Sequence, residues 1–341
     1  MKRKTQVNIY DVAKELGVSI STVSRALNDN PKISEKTKKR VKKAADKLGF
    51  KKNILASGLM TNKTKIIGVI VPYINREFFA QAINSIEMTA FDLGYKVMIC
   101  QSADSLERER INIDTLISSR VDGIIMSLSL ETNDWSHLQR AIDMGIPIVF
   151  FDRVCYDIEH STKIMVDNFS AAYRATSHLI EKGHKRIGHI GGFMKIKIFQ
   201  ERFNGYKKAL NDNNIPLDET IVKETHLTKD DCNKAVKDIL DLENPPSAVF
   251  CANNLTAITA IFYAQSIGMN VPGDLAVIGF SVDPFATLMK PSLTAVEQPS
   301  KEMGKLATER LVEELNGLAE EKATIYGKII LDTKLVVRES S

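Results

Sequence analysis

The first fifty residues place apolar side chains at helical spacing and interrupt them with glycines. Residues 8–16 carry their apolar positions on one helical face, and Gly17 then permits a tight turn. The same pattern predicts a second short helix at about residues 20–27 and a third at 34–48. Three short helices with a glycine turn between the first two are typical of a helix-turn-helix domain.

Beyond residue 65 the pattern changes to short apolar strands that alternate with amphipathic helices. Strands are predicted at residues 66–71, 95–100, 123–126, 147–151, 187–191, 248–251 and 275–280. Helices are predicted at about residues 78–93, 105–119, 134–144, 169–182, 200–213, 230–241, 255–267 and 300–316. This alternation predicts parallel sheets covered by helices on both faces. Because the motif IIGVIVPY (66–73) is loosely repeated as RIGHIGGF (186–193), two α/β lobes with a ligand cleft between them are expected.

Charge is distributed unevenly along the chain. The net charge of the 341 residues is +4, yet residues 1–65 contain 17 Lys and Arg against 5 Asp and Glu, a net charge of +12. The remaining residues therefore carry a net charge of −8. A small basic domain on an acidic body is typical of a protein whose basic part binds a polyanion, although a solvated lysine-rich face would give the same count.

Several function classes lack their sequence signatures. No run of 18 apolar residues predicts a membrane span, and the start MKRKTQ leads into polar sequence, so a cytoplasmic protein is expected. The four cysteines lie far apart without a metal-ligand spacing, so we expect reduced thiols, no metal site and no cofactor. No GxGxxG, GxSxG or phosphate-loop motif supports an enzyme, and no catalytic residue is assigned. The only tryptophan, Trp135, is expected to be a fluorophore rather than a ligand contact.

The second predicted helix carries unusual chemistry for a short soluble helix. Its segment VSISTVSRAL (18–27) contains four small hydroxyl side chains and one cation. Small hydroxyls let a helix backbone approach a duplex and donate to phosphates. Arg25 can form two bonds with guanine, and Ile20 can contact a thymine methyl group. The helix therefore has the side chains of a major-groove reader.

The chain as a whole resembles the lactose-repressor (LacI/GalR) family of bacterial transcription regulators, nearly from end to end. The resemblance rests on IYDVAKELGVSISTVSRALN (9–28), ISEKTKKRV (33–41), VDGIIM (121–126), HLIEKGHKRIGHIGG (178–192), RFNGYKKAL (202–210), NVPGDLAVIGF (270–280) and PSLTAVEQP (291–299). It implies a homodimer on a double-stranded DNA operator with two half-sites. It also implies a core like periplasmic binding proteins and a small-molecule effector.

The resemblance assigns DNA contacts within and after the second helix. Ile20 and Ser21 fall where the family varies its base readers, and Arg25 falls on a major-groove reader. Positions that contact the DNA backbone are matched by Ser19, Thr22 and Asn28.

The resemblance also implies a hinge helix over residues 53–61. Leu59 matches the leucine that enters the minor groove and kinks the duplex, and Ala56 lets paired hinge helices approach closely. Many members have an arginine where this chain has Ser57, and Gly58 follows it. A glycine in a helix costs about 1 kcal/mol relative to alanine. The hinge helix is therefore expected to form less readily than in those members, and its formation to depend more strongly on DNA and effector binding.

For the effector, the resemblance points to residues that follow predicted strands. Phe78 and Phe79 match aromatic residues that pack on a sugar face, although two core aromatics would fit the same positions. Asp152 and Arg153 match positions that bond ligand hydroxyls, which suits a polyol because each hydroxyl both donates and accepts. Further ligand positions are matched by Arg202, Asn253 and Ser281.

Departures from the family pattern change the expected effector. Ser281 stands where many members carry Asp, and Arg76 replaces a neutral amide. We expect three arginines, Arg76, Arg153 and Arg202, to converge with only Asp152 opposing them. Arginine forks match carboxylates and phosphates, so an acidic or phosphorylated sugar-like effector such as a uronate is predicted. In the alternative, Arg76 points to solvent and the effector is neutral.

The expected organisation is an α/β protein with an amino-terminal helix-turn-helix domain. This domain spans residues 1–52, the hinge helix and linker span 53–64, and the two-lobed core spans 65–341. We expect lobe one at about 65–164 and 297–326, and lobe two at about 165–296 and 327–341. The predicted function is a dimeric operator-binding regulator, a repressor switched by the effector. Alternatives are control by a protein coregulator, a sugar receptor, or an α/β enzyme.

Overall fold

The computed structural model describes residues 7–27, 29–50, 63–281, 284–320 and 326–341. The chain divides by its contacts into two units, Met1–Thr64 and Lys65–Ser341. Three residues predicted to contact DNA lie outside the described residues, namely Asn28, Ala56 and Leu59.

The first unit contains the three predicted helices, which the structure confirms as α1 (Ile9–Leu16), α2 (Ile20–Leu27) and α3 (Glu35–Leu48). Gly17 ends α1 with a φ of 63°, a left-handed conformation that favours glycine. The helices pack on a core of small and branched side chains. Its fully buried members include Val12, Val23, Ala26 and Val41.

The described part of the second unit contains twelve strands. They are β1 (Ile66–Val71), β2 (Lys96–Gln101), β3 (Gly123–Met126), β4 (Ile148–Phe151), β5 (Thr162–Val166), β6 (Ile187–Gly191), β7 (Val222–Glu224), β8 (Ala248–Cys251), β9 (Ala276–Phe280), β10 (Thr294–Glu297), β11 (Lys328–Leu331) and β12 (Lys334–Val336).

Eight α-helices accompany these strands within the described residues. They are α4 (Glu77–Asp92), α5 (Leu106–Ser118), α6 (Ser136–Asp143), α7 (Asn168–Glu181), α8 (Lys197–Asp212), α9 (Lys229–Leu240), α10 (Asn254–Ser266) and α11 (Ser300–Ala319). No helix of the described chain is both long and apolar enough to span a membrane.

The strands form two six-stranded sheets. The first has the order β11-β5-β4-β3-β1-β2 and is parallel throughout. The second has the order β12-β10-β9-β8-β6-β7, and only β12 runs antiparallel to its neighbour. Each sheet has a buried apolar cluster on either face, as expected for parallel sheets. The predicted two-lobed α/β architecture is confirmed.

Helix α11 packs on α4 in lobe one at a very short separation. A Cβ added to Gly304 of α11 would lie 2.4 Å from the carbonyl oxygen of Ala82 on α4. Glycine is therefore required by the close approach of the two backbones.

The carboxyl-terminal segment is divided between the lobes, which corrects one expected boundary. Residues 327–341 were expected wholly in lobe two, but β11 pairs with β5 of lobe one, with Ile329 opposite Ile164. Only β12 joins lobe two, where Val336 lies opposite Ala295. The chain crosses between the sheets at residues 332–333, because the two consecutive strands have their pairing partners in different sheets.

Candidate functional site

The start of α2 is organised by Ser19. Its hydroxyl accepts a hydrogen bond from the backbone N–H of Thr22 at 3.1 Å, as a helix-capping residue does. The same hydroxyl lies 2.8 Å from the hydroxyls of both Ser21 and Thr22. Three of the predicted DNA-contacting residues thus form one connected hydroxyl cluster at the amino end of α2.

The two sides of α2 differ in chemistry. Val23 and Ala26 are fully buried against the other helices. Ile20, Ser21 and Arg25 are exposed, and the structure places them on the outer side as predicted. Arg25 forms no ion pair with the described residues of this unit.

In the second unit, a cavity of about 570 Å³ lies where the carboxyl ends of several strands meet α8 and the start of α4. All eight residues predicted to bind the effector line it: Arg76, Phe78, Phe79, Asp152, Arg153, Arg202, Asn253 and Ser281. Such a position, beyond the carboxyl ends of parallel strands, is where open α/β sheets bind ligands. The structure therefore brings the whole predicted set together.

Arg153 is held by a carboxylate that the sequence analysis missed. Its Nη1 lies 2.5 Å from Oδ1 of Asp104, and the two residues are 5% and 8% exposed. Nη1 also donates to the carbonyl of Leu128, and the same Asp104 oxygen accepts from the N–H of Leu130 at 3.1 Å. The expectation that Asp152 alone opposes the three arginines is therefore wrong, because Asp104 already pairs with one of them.

Arg202 is almost completely buried and is satisfied mainly by neutral groups. Its Nε donates to Asn168 Oδ1 at 2.9 Å and its Nη1 to the carbonyl of Ala252 at 2.7 Å. Its guanidinium lies 3.6 Å from the ring centroid of Phe280. Burial lowers the pKa of Arg202 to about 10, although the charge of Asp152 acts in the opposite direction.

Asp152 joins the two lobes electrostatically. Burial raises the pKa of its carboxyl, and the charges of Arg153 and Arg202 oppose that rise. Asp152 follows β4 of lobe one and Arg202 lies on α8 of lobe two, so their attraction acts across the cleft.

Arg76 has the least compensated charge of the three arginines. Its Nη2 donates to the carbonyl oxygen of Leu227 at 3.1 Å, and its guanidinium lies 4.3 Å from the ring centroid of Tyr73. The pKa of Arg76 is lowered by burial and then by the charge of Arg153, while Asp104 acts the other way. The side chain lies in the cavity wall rather than in solvent, and it bridges from α4 of lobe one to the loop before α9 of lobe two.

Phe78 and Phe79 belong to the core of lobe one and also line the cavity. They pack edge to face at a centroid distance of 5.1 Å and belong to the buried cluster of lobe one. Both also line the cavity. The aromatic wall is therefore fixed by the core.

Asn253 and Ser281 are set by backbone hydrogen bonds. Asn253 Oδ1 accepts from the N–H of Thr256 at 2.8 Å and caps α10. The backbone N–H of Ser281 donates to the carbonyl of Val296 at 2.8 Å. Both residues thus present small polar groups to the cavity from lobe two.

Comparisons with known proteins match both units. Residues 8–53 match the family described as bacterial regulatory proteins, lacI family, and residues 176–341 match a periplasmic binding protein-like domain. The HTH-type transcriptional repressor CytR of Escherichia coli (strain K12) is 34% identical over 341 residues, covering 100% of this chain and 98% of CytR. Catabolite control protein A of Priestia megaterium is 32% identical over 340 residues, covering 98% and 99% of the two chains.

Solved structures agree with these matches. The transcriptional regulator CelR in complex with cellobiose is 29% identical with a TM-score of 0.74, covering 98% of this chain and 100% of CelR. The lac repressor dimer bound to operator and the anti-inducer ONPF has a TM-score of 0.84 at 24% identity, covering 98% and 99% of the chains. The second likeness shows the fold alone, and it confirms the predicted combination of helix-turn-helix domain and two-lobed core.

Proposed function

This chain belongs to the lacI family of bacterial regulatory proteins and is a DNA-binding transcriptional regulator, and we propose how its two sites are used. The outer side of α2 reads the operator, with Ile20, Ser21 and Arg25 at base edges. The hydroxyl cluster around Ser19 contacts phosphates. Two chains bind two half-sites as a homodimer, and the central cavity takes a small-molecule effector.

We infer that the effector is a polyhydroxylated molecule that carries an acidic group, a carboxylate or a phosphate, at Arg76. The observation that carries this proposal is the environment of Arg76, which bonds a neutral carbonyl and stacks on Tyr73. An anion at Arg76 would form a charge-assisted hydrogen bond and offset the repulsion from Arg153. Arg153 and Arg202 contribute less to this preference, because Asp104 and Asp152 already compensate them.

The remaining polar lining suits hydroxyl groups. Asp152 accepts hydrogen bonds, while Asn253 and Ser281 each offer small polar groups from the opposite lobe. Because the two sets lie on different lobes, a ligand that bonds both favours the closed arrangement. That difference in affinity between lobe arrangements is what makes a ligand an effector.

A neutral sugar is the second candidate, since the 29% identical regulator CelR binds cellobiose. The two candidates differ in their dependence on Arg76. We would titrate the full chain with galacturonate, galactose and galactose 1-phosphate by calorimetry, using Arg76→Gln and, as the matched control, Arg108→Gln. Arg108 is exposed on α5 and outside the cavity.

If the effector is acidic, galacturonate or galactose 1-phosphate should bind. Arg76→Gln should then weaken that binding at least about tenfold, as the loss of one charge-assisted hydrogen bond implies. Arg108→Gln should leave the affinity unchanged. If galactose binds more tightly than the two acidic ligands and Arg76→Gln does not change its affinity, the neutral effector is favoured instead. Operator release or retention by the bound ligand, measured in a gel-shift assay, then links the cavity to regulation.

A further inference from the structure

A second, smaller cavity lies beside the central one and has no role in the function described above. Its volume is about 230 Å³. Its walls come from the segments 128–135 and 153–157 of lobe one and from 195–198 of lobe two. Arg153 and Ile198 line both cavities, so these two side chains form the partition between them.

The lobe-one wall is held rigidly by a buried carboxylate. Glu109 is fully buried and accepts hydrogen bonds from both the N–H and the hydroxyl of Ser129 at 2.7 Å. Its other oxygen lies 2.9 Å from the hydroxyl of Thr132 and 2.9 Å from His137 Nε2. The segment that carries Ser129 and Thr132 is therefore fixed before any ligand arrives, which lowers the entropic cost of binding.

One buried hydrogen-bond donor in the partition has no partner among the described residues. Arg153 is only 5% exposed, and its Nε is a buried donor without a partner among the described residues. Buried donors without partners are rare in folded proteins, because each costs free energy until a ligand or water satisfies it. Because this Nε has almost no accessible surface, the unsatisfied donor lies inside the partition and not on the wall of either cavity.

The other walls combine aromatic surface with positive charge. Trp135 and Tyr156 line the lobe-one side, and the Trp135 side is partly open at 39% exposure. Lys195 and Lys197 line the lobe-two side and are exposed, and the Lys197 Nζ lies 3.8 Å from the Tyr156 ring centroid. Among the described residues that line this cavity, only Asp157 is acidic. An aromatic side with two exposed cations suits a sugar ring that carries an anionic group.

We propose that the second cavity is a subsite for the distal residue of an effector with two sugar residues, each acidic. The proximal residue lies in the central cavity at Arg76, an assignment that rests on the proposed function. The distal ring lies against Trp135, and its acidic group is bound by Lys195 and Lys197.

The test compares galacturonate with digalacturonate on the full-length chain. Calorimetry gives both affinities, and acrylamide quenching of Trp135, the only tryptophan, reports on the second cavity itself. The variant is Lys195→Gln/Lys197→Gln. Its matched control is Lys234→Gln/Lys237→Gln, two lysines exposed on α9 outside both cavities.

We expect digalacturonate to bind at least about tenfold more tightly than galacturonate and to protect Trp135 from acrylamide, while galacturonate gives little protection. The Lys195/Lys197 variant should lose this tenfold gain and keep the galacturonate affinity, and the Lys234/Lys237 control should behave as the parent chain. Equal affinities for the two acids, or a gain that survives the Lys195/Lys197 substitutions, overturn the subsite alone. Absence of binding by either acid overturns the carboxylate form of the proposed effector together with the subsite.

Discussion

Removing Arg153 should destabilise the core severely, because its substitution by methionine leaves the buried carboxylate of Asp104 without its ion-pair partner. Asp104 is 8% exposed, and among the described residues it would keep only the backbone N–H of Leu130 as a donor. Breaking a buried ion pair from one side typically costs about 3–5 kcal/mol. We therefore expect Arg153→Met to lower the free energy of unfolding at pH 7 by about that amount.

The assay is urea unfolding at a fixed protein concentration, carried out as a double-mutant cycle. Asp104→Asn and the double variant complete the cycle, and the double variant should recover part of the loss because no buried charge is left unpaired. The matched control is Arg140→Met. Arg140 pairs with Asp114 at 2.8 Å, but their side chains are 64% and 60% exposed, so the expected loss is at most about 1 kcal/mol.

The reasoning fails if Arg153→Met and Arg140→Met cost the same. The Arg153–Asp104 pair would then contribute no more than a surface ion pair despite its burial. Arg153 would in that case be free to bind an anionic ligand, and the assignment of Arg76 as the anion-binding arginine would lose its support. The cycle therefore tests the electrostatic basis of the effector proposal as well as the stability of the fold.

Three further predictions concern other parts of the chain. Burial raises the pKa of Glu314 from 4.5 to about 7, so its contribution to stability is complete below about pH 4.5 and is lost as the pH rises through about 7. Between these two pH values the free energy of unfolding should fall by about 3 kcal/mol, and Glu314→Gln should remove this fall, whereas the exposed Glu313→Gln should not. Equal pH profiles of the two variants would contradict the burial argument. Arg25→Ala should cost about 1–3 kcal/mol on the preferred operator and relax base preference in a binding-site selection, while a uniform loss on all DNA would indicate a phosphate contact. Ser19→Ala should destabilise the start of α2 by about 1 kcal/mol, seen as faster hydrogen exchange at the Thr22 amide, and unchanged exchange would remove Ser19 as the cap.

Periodicity predicted those elements whose apolar pattern is local and missed those whose burial depends on neighbours. The segment IIGVIV of β1 is a continuous apolar run and was predicted at its observed bounds. Strand β5 was missed, because its sequence TKIMV contains Lys163, although all five residues are buried. The Lys163 ammonium is satisfied by the carbonyl of Ile158 at 2.6 Å and the hydroxyl of Ser161 at 2.9 Å, contacts that no sequence pattern shows.

The candidate effector residues could be predicted because they follow strand ends or begin helices, and parallel strands bring such positions to one edge. Asp104 obeys the same rule, since it follows β2, and its signal was present in the segment QSADS (101–105). Its partner was not predictable. Arg153 follows β4, and β4 is separated from β2 by β3 and β1 in the sheet, so the ion pair depends on a sheet order that the sequence pattern does not contain.

The same sheet order explains why counting charges in the cleft would mislead about its ligand. Arg153 and Asp104 both belong to lobe one, so their attraction is present whether the lobes are open or closed. Arg76 and Asp152 act across the cleft, toward Leu227 and Arg202 of lobe two. Only groups whose interactions change between lobe arrangements can couple a ligand to regulation, because an effector shifts an equilibrium by its difference in affinity for the two states. The ligand's acidic group should therefore be sensed at Arg76, where it replaces or reinforces a contact between the lobes, and not at the more deeply buried Arg153.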